Sequence, residues 1–138
     1  MFTGIIESVG TITDITNKGS NRTFRIESLI SNELKIDQSV SHNGVCLTVT
    51  AVHDNQHEVT AIAETLEKTN LGNWQPGTRV NLERCVPLNG RLDGHLVQGH
   101  VDGTGRCLWI EDKKGSYELR FQIDPSFAPL IIEKGSIS

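Results

Sequence analysis

Several short runs of the chain alternate apolar and polar residues: Thr11 to Ile15, Thr23 to Ile26, Val45 to Val49, Glu58 to Ile62 and Arg79 to Leu82. A period of two is that of a strand with one face buried. Turn formers stand between these runs, in Asn17-Lys18-Gly19-Ser20, Asn43-Gly44, Asp54-Asn55 and Pro76-Gly77, the last suited to the central pair of a type II turn. Short strands spaced in this way predict an all-β fold, a small barrel. Helical signals cover Ala63 to Lys68, ended by Asn70 and Gly72, and Pro125 to Glu133, ended by Gly135 and interrupted by Pro129.

Sliding the chain against itself by 95 positions, so that Gly4 meets Gly99, brings out an internal repeat. Ile6 then meets Val101, Glu7 meets Asp102, Gly10 meets Gly105, Ile15 meets Ile110, Phe24 meets Leu119 and Arg25 meets Arg120. After a two-residue insertion, Ser39-Val40-Ser41 meets Ser136-Ile137-Ser138. A single pair of this kind arises by accident in β-rich sequences, but a glycine, acidic, arginine and apolar series in one order does not. The second copy stops where the first runs on into His42-Asn43-Gly44-Val45-Cys46-Leu47-Thr48, so it holds only the first part of a barrel. Half a barrel leaves a strand edge and an apolar face open, which a partner or further chain must cover.

Composition narrows the function classes. At 138 residues, with 36% hydrophobic and 22% charged residues, the chain has the makings of a globular core. A net charge of -4 leaves no basic face for a phosphate backbone, so nucleic acid is not an expected partner. The opening Met1-Phe2-Thr3-Gly4-Ile5-Ile6-Glu7 lacks the basic and long apolar regions of a signal peptide, and no later run is long enough to span a bilayer. A cytoplasmic location, with no membrane contact, is the expectation. Cys46, Cys85 and Cys107 are odd in number and far apart, which favours free thiols over a disulfide framework or a zinc site. The Asn21-Arg22-Thr23 sequon carries no weight without secretion.

Two places could carry chemistry. Strict alternation sets Cys46, Thr48 and Thr50 on one strand face and Val45, Leu47 and Val49 on the core face. The polar strip suits a small polar ligand, although an ordinary half-exposed strand has the same pattern. In Gly94-His95-Leu96-Val97-Gln98-Gly99-His100, at the junction of the two copies, each imidazole follows a glycine. Histidine is suited to proton transfer near neutrality. Their spacing in an extended segment sends the rings to opposite sides, and no Cys, His or carboxylate cluster completes a metal site. His42, His53 and His57 sit in turn or loop surroundings, and for His53 and His57 a surface or hydrogen-bonded structural role is the simpler reading. Gly-rich phosphate loops and hydrolase or metalloprotease signatures are missing.

These segments together resemble the riboflavin synthase family over the whole chain. The resemblance lies in Met1-Phe2-Thr3-Gly4-Ile5-Ile6, in Ser39 to Val49 with its N-G-x-C-L-T-V segment, and in Glu64-Thr65-Leu66 with Thr69-Asn70-Leu71-Gly72. Val80-Asn81-Leu82-Glu83-Arg84, Gly94 to Asp102, and Glu133-Lys134-Gly135-Ser136-Ile137 continue it. The resemblance implies duplicated Greek-key six-stranded β-barrels, the first lumazine-binding barrel over 1–90 and the first part of the second over 91–138. It implies a homotrimer, the substrate 6,7-dimethyl-8-ribityllumazine, and a dismutation that needs neither metal nor organic cofactor.

Carried onto this chain, Phe2, Thr3, Gly4, Ile5 and Ile6 would line the first barrel's pocket, the Phe2 ring near the lumazine. Ser39, Cys46, Thr48, Ile62, Ala63, Glu64 and Thr65 would complete it. His100, with His95 second, is the candidate for proton transfer at the C7 methyl group, and Cys46 is either a polar contact or a transient nucleophile. A non-catalytic lumazine- or flavin-binding paralogue, or a fragment that only binds, is the rival reading; the presence of Phe2, Cys46 and His100 together favours the enzyme.

Overall fold

Each alternating run becomes a strand in the computed structural model, which describes residues 1–137 and divides them into two units, Met1–Val101 and Asp102–Ile137. In the first unit the strands are β1 (Ser8–Lys18), β2 (Asn21–Glu27), β3 (Ser39–His42), β4 (Val45–His53), β5 (Gln56–Ala61) and β6 (Arg79–Arg84). Helix α1 covers Ala63–Lys68, as its composition predicts, and 3-10 turns cover Ser31–Glu33 and Leu71–Asn73. The strands close into a barrel in the order β1-β2-β5-β4-β3-β6, every pairing antiparallel.

Turn chemistry sets the pairings. Asn43 and Gly44 both have positive φ (50° and 87°), as a two-residue hairpin between β3 and β4 requires. The same asparagine reaches across to β6: its N–H donates to the Asn81 carbonyl (2.9 Å) and its Oδ1 accepts the Asn81 N–H (2.7 Å). Gly77, at φ 92°, occupies the third position of the turn that Thr78 N–H closes onto the Gln75 carbonyl.

Inward residues of all six strands form one core, including Ile12, Phe24, Ile26, Val40, Leu47, Val49, Val59, Val80 and Leu82. Trp74 packs edge-on to Phe24 with ring centroids 5.1 Å apart, a contact that adds about 1 kcal/mol beyond the area it buries. Arg22 ties this corner down by donating to the Gly72 and Trp74 carbonyls while lying over the Phe24 ring.

Strand β3 is the element that alternation does not foresee, because Ser41 and His42 are as buried as Val40. His42 and His57 lie on strands β3 and β5, not in turn or loop surroundings, and both are fully buried; His53 is exposed at the end of β4. Their burial is tolerated because, with both rings neutral, one proton arrangement satisfies every nitrogen. His42 Nδ1–H donates to the Val40 carbonyl (3.0 Å), which can only accept, so His42 Nε2 is an acceptor and takes the His57 Nε2–H (3.0 Å). His57 Nδ1 then accepts from the Ser31 hydroxyl (2.8 Å), whose oxygen accepts from Ser28 (2.8 Å).

The second unit contains β7 (Arg106–Asp112) and β8 (Tyr117–Gln122), an antiparallel hairpin, and a 3-10 turn over Pro125–Leu130. That turn replaces the helix expected to reach Glu133: Asp124 caps it by accepting the Ser126 N–H (2.8 Å), and with Pro129 inside it ends at Leu130. Leu108, Ile110, Leu119, Phe121 and Ile132 are exposed. The hairpin repeats β1-β2 in register as well as in sequence. Ile15 opposite Phe24 corresponds to Ile110 opposite Leu119, and the irregularity between Ile12 and Asp14 corresponds to the one between Cys107 and Trp109. Ser138, the last residue of the aligned second copy, lies outside the described residues.

Burial, and after it the neighbouring His57, push the pKa of His42 down to about 3, and burial pushes that of His57 down to about 4. The unfolded rings titrate near pH 6.5 and so bind protons that the folded rings refuse. This contribution to stability is complete above that pH and is lost as the pH falls toward the folded values. Urea midpoints measured between pH 7 and 5 are expected to fall by an amount worth about 2 kcal/mol per histidine. A flat profile over that window would show that the buried pair accepts protons while folded.

Candidate functional site

The N-terminal residues 1–6 form an arm on the outside of the barrel. Register puts Ser39 opposite Thr48, Ser41 opposite Cys46, and Ser41 opposite Glu83 on the other side. Opposed residues share a face, and alternate residues along a strand return to it. Ser39, Ser41, Cys46, Thr48 and Glu83 therefore stand on the outer face of β3, β4 and β6. Over part of that face lies the chain's own arm, which is why Ser41 and Glu83 are only 4% and 3% exposed.

Main-chain bonds hold the arm against residues 94–101. Phe2 and Val97 exchange a pair of hydrogen bonds, Phe2 N–H to the Val97 carbonyl at 2.7 Å and Val97 N–H to the Phe2 carbonyl at 3.0 Å. His95 N–H donates to the Thr3 carbonyl (2.9 Å), and Val86 N–H to that of Met1 (3.1 Å). Strand β4 pairs with β5 only from Val49 onward, so its earlier edge is free on that side. Cys46 N–H uses the opening and donates to the Gly99 carbonyl (2.8 Å).

The glycines before the two histidines are required by this packing. A Cβ on Gly94 would lie 2.3 Å from the Thr3 carbonyl oxygen. At Gly99, where φ is +79°, a Cβ would come within 2.8 Å of Cys46 Cβ and 3.0 Å of the Phe2 ring. Gly4 likewise has positive φ, at 83°. Its turn points the N–H groups of Thr3 and Gly4 at one carboxylate. Glu83 Oε1 accepts from Thr3 N–H (2.5 Å) and the Thr3 hydroxyl (2.6 Å), and Oε2 accepts from Gly4 N–H (3.0 Å).

Phe2, Thr3, Gly4, Cys46 and His95 are thus joined in one hydrogen-bonded unit, with the Phe2 ring fully buried against Gly99. Ser39 and Thr48 continue the same outer face. His100 follows Gly99 directly and is exposed, as is His95. Ile5 and Ile6 are exposed apolar residues of the arm. Ile62, Ala63, Glu64 and Thr65 lie where β5 passes into α1 and form no hydrogen bond to the arm; Glu64 pairs with Lys68 (2.8 Å) and the Thr65 carbonyl accepts from Thr69 (2.6 Å). A separate surface depression is lined by residues such as Val9, Thr13, Leu29 and Asn55, and contains none of the candidate site residues. Among the described residues no three His, Cys, Asp or Glu side chains converge as metal ligands, the three cysteines are unpaired, and no helix is long and apolar enough to cross a membrane.

The sequence pattern of the lumazine binding domain matches residues 3–85, all six strands of the closed barrel together with most of its arm, and defines the class of protein. Riboflavin synthase of Bacillus subtilis is 41% identical over 139 residues, an alignment that takes in 100% of this chain and 65% of that protein. Riboflavin synthase of Mycobacterium tuberculosis is 40% identical over 141 residues, covering 100% of this chain and 70% of the relative, and that of Saccharomyces cerevisiae 35% over 146 residues, covering 99% and 61%. The chain belongs to the riboflavin synthase family and spans about 65% of the length of the bacillar relatives it matches. The fold agrees with solved structures of LumP. LumP complexed with riboflavin superposes with a TM-score of 0.85 at 21% identity, over 96% of this chain and 72% of that one. LumP complexed with 6,7-dimethyl-8-(1'-D-ribityl) lumazine gives 0.81 at 20%, over 91% and 70%.

Sequence reasoning assigned no role to Glu83 or Ser41. Glu83 follows the inward Val80 and Leu82 of an alternating strand, which reads as a solvated position; the one hint in the sequence is the glycine after Thr3, a residue free to adopt the turn that aims backbone donors at an anion.

Because Gly99 combines left-handed backbone with contact on two sides, Gly99→Ala is expected to detach residues 94–101 and cost about 2–3 kcal/mol. Gly44→Ala, with φ 87° but open space around it, should cost only about 1–2 kcal/mol. Amide exchange reads the difference: Val97 and Cys46 should lose protection in the Gly99 variant alone. Equal behaviour of the two variants would remove the close packing from the account.

Proposed function

We propose that this chain carries the lumazine-recognising part of a riboflavin synthase. In that reaction two molecules of 6,7-dimethyl-8-ribityllumazine exchange a four-carbon unit, giving riboflavin and 5-amino-6-ribitylamino-2,4-pyrimidinedione. The atoms of two substrates are redistributed between two products, so no external oxidant or reductant enters. The observation that carries the proposal is the union of Phe2, Cys46 and residues 94–101 in one unit, in a chain similar along its whole length to riboflavin synthases of bacteria and yeast.

In this reading Phe2, Thr3, Gly4, Ile5 and Ile6 face the ligand from the arm, and Ser39, Cys46, Thr48, Ile62, Ala63, Glu64 and Thr65 bound it from the barrel. Exposed Ile5, Ile6 and Ile62 offer apolar surface to a flat ring, and the hydroxyls of Ser39 and Thr48, on one outer face, offer hydrogen bonds to the ribityl chain. His100 transfers the proton at the C7 methyl group, with His95 as the second candidate. Cys46 serves as a polar contact or a transient nucleophile on the ring.

Residues 1–90 form the first barrel of the duplicated plan and 91–138 the opening of the second. The matched register and matched irregularity of the two hairpins support this duplication. The apolar residues exposed on β7 and β8 need cover from further strands or from a neighbouring subunit, as in the homotrimer of this reading, and the cytoplasm is its expected location. Two similar barrels facing one another hold two identical substrates in opposed orientation and so raise their effective concentration.

Incubation with ribityllumazine, followed by riboflavin fluorescence, tests the activity, and His100→Ala is expected to slow turnover at least a hundredfold while changing ligand affinity less than threefold. Equal losses in both would make His100 a binding group. A chain that binds ribityllumazine without forming product would be a capture domain, and one that binds none would overturn the reading.

A further inference from the structure

Burying a carboxylate is costly unless donors replace the water it leaves, and an outer strand face offers Glu83 free access to water. Its side chain is nonetheless covered, and the three donors that compensate it come from Thr3 and Gly4 alone. Among the described residues none comes from the barrel. Closure of the barrel uses the backbone of β6, where Glu83 is already opposite Ser41, and the inward side chains of Val80 and Leu82. The carboxylate therefore acts on the arm. Its two oxygens are matched to two successive N–H groups that the turn at Gly4 aims in one direction, an anion-binding concavity filled by the protein's own side chain. The Thr3 hydroxyl is committed as well, donating to Glu83 and accepting the Ile5 N–H (3.1 Å).

What the arm holds is the rest of the candidate site. Phe2 precedes the clamped residues and pairs with Val97, the Thr3 carbonyl receives the His95 N–H, and Gly99 sits between the Phe2 ring and Cys46. We propose that Glu83 is the positioning residue of the lumazine site, fixing through Thr3 and Gly4 the placement of Phe2 and of residues 94–101. The role rests on the functional reading above only as far as the ligand is concerned. Glu83 touches no ligand itself; it sets where the ligand-facing groups stand.

Two variants test this on the 138-residue chain. Glu83→Gln keeps the size but turns an NH2 group toward an N–H donor, and Thr3→Val keeps the shape but removes the hydroxyl. With no ligand present, Glu83→Gln is expected to speed amide exchange at Thr3, Gly4 and Val97 at least tenfold, while β2, β4 and β5 stay within twofold of the parent. Fluorescence titration with 6,7-dimethyl-8-ribityllumazine should show binding at least tenfold weaker. The double variant should bind no more weakly than Glu83→Gln alone, because the hydroxyl acts through the carboxylate. Unchanged arm exchange overturns the proposal, and so does a loosened arm that binds as the parent does. If Glu83→Gln loses protection throughout the barrel, Thr3→Val decides: loosening confined to the arm, with weaker binding, supports the proposal, and loosening of the whole barrel overturns it. A parent chain that binds no ribityllumazine sinks the functional reading instead, while exchange without ligand still decides whether Glu83 holds the arm.

Discussion

Strand β6 has to pair on both edges for the barrel to exist. Its antiparallel bonding to β1 and to β3 converts an open sheet, with two free edges, into a closed one. Val80 and Leu82 fill the interior from this strand, and the Asn43 side chain adds a bond from the β3-β4 turn to Asn81. Gly10 shows how tight the closure is. A Cβ there would lie 2.6 Å from Ile26 and 2.9 Å from Leu82, so β1 approaches its two neighbours only because that side chain is missing. Once β6 is fixed, Glu83 is fixed with it on the outer face and Arg84, opposite Val40, at the strand's end. Glu83 collects the arm, and Arg84 binds Glu7 and Glu33 at 2.7 and 2.8 Å, joining the residue that follows the arm to the 3-10 turn before β3. The candidate site is thus assembled on the outside of the barrel by the strand that closes it.

The molecule places its histidines under opposite regimes. His42 and His57 are sealed in the core, where each nitrogen already has a partner in the series from Ser28 to Val40 and burial opposes the charge that a further proton would bring. His95 and His100 stand outside, anchored by neighbouring main chain and not by their rings. A group meant to exchange protons needs access and an unsaturated ring nitrogen; the buried pair has neither. Their polarity instead fixes which side chains of β3 and β5 meet, a specificity that an apolar pair of similar volume would not impose.

Strand order in sequence was legible wherever the face toward the core was apolar and the face toward solvent polar, as in β1, β2, β4, β5 and β6. It failed at β3 because Ser41 and His42 are buried, Ser41 beneath the arm and His42 in the core. The same cause hid Glu83, since alternation reports which face of a strand turns inward and carries no information on whether a distant segment will cover the other face. Cys46 and Thr48 were placed on the outer face correctly, because that inference needs only the period of two. In the sequence the glycines of residues 94–100 stand out only for the histidines they precede, whereas their necessity comes from Thr3, Phe2 and Cys46, residues remote in sequence that meet only in the folded chain.

The two hairpins separate what local sequence specifies from what closure supplies. Strands β7 and β8 adopt the register of β1 and β2 residue for residue, with the irregularity in the same place, although Phe24 is fully buried and its counterpart Leu119 is 47% exposed. Burial therefore does not choose this register. The short turns and the bulge do, by fixing which residues face each other before any third strand is added. A hairpin of this kind is a unit that can be copied with its geometry intact, and the apolar residues it presents remain exposed until other strands complete the sheet. Closure then turns a pattern already present into a core, and only in the closed barrel does an outer face become rigid enough to hold an arm over a buried carboxylate.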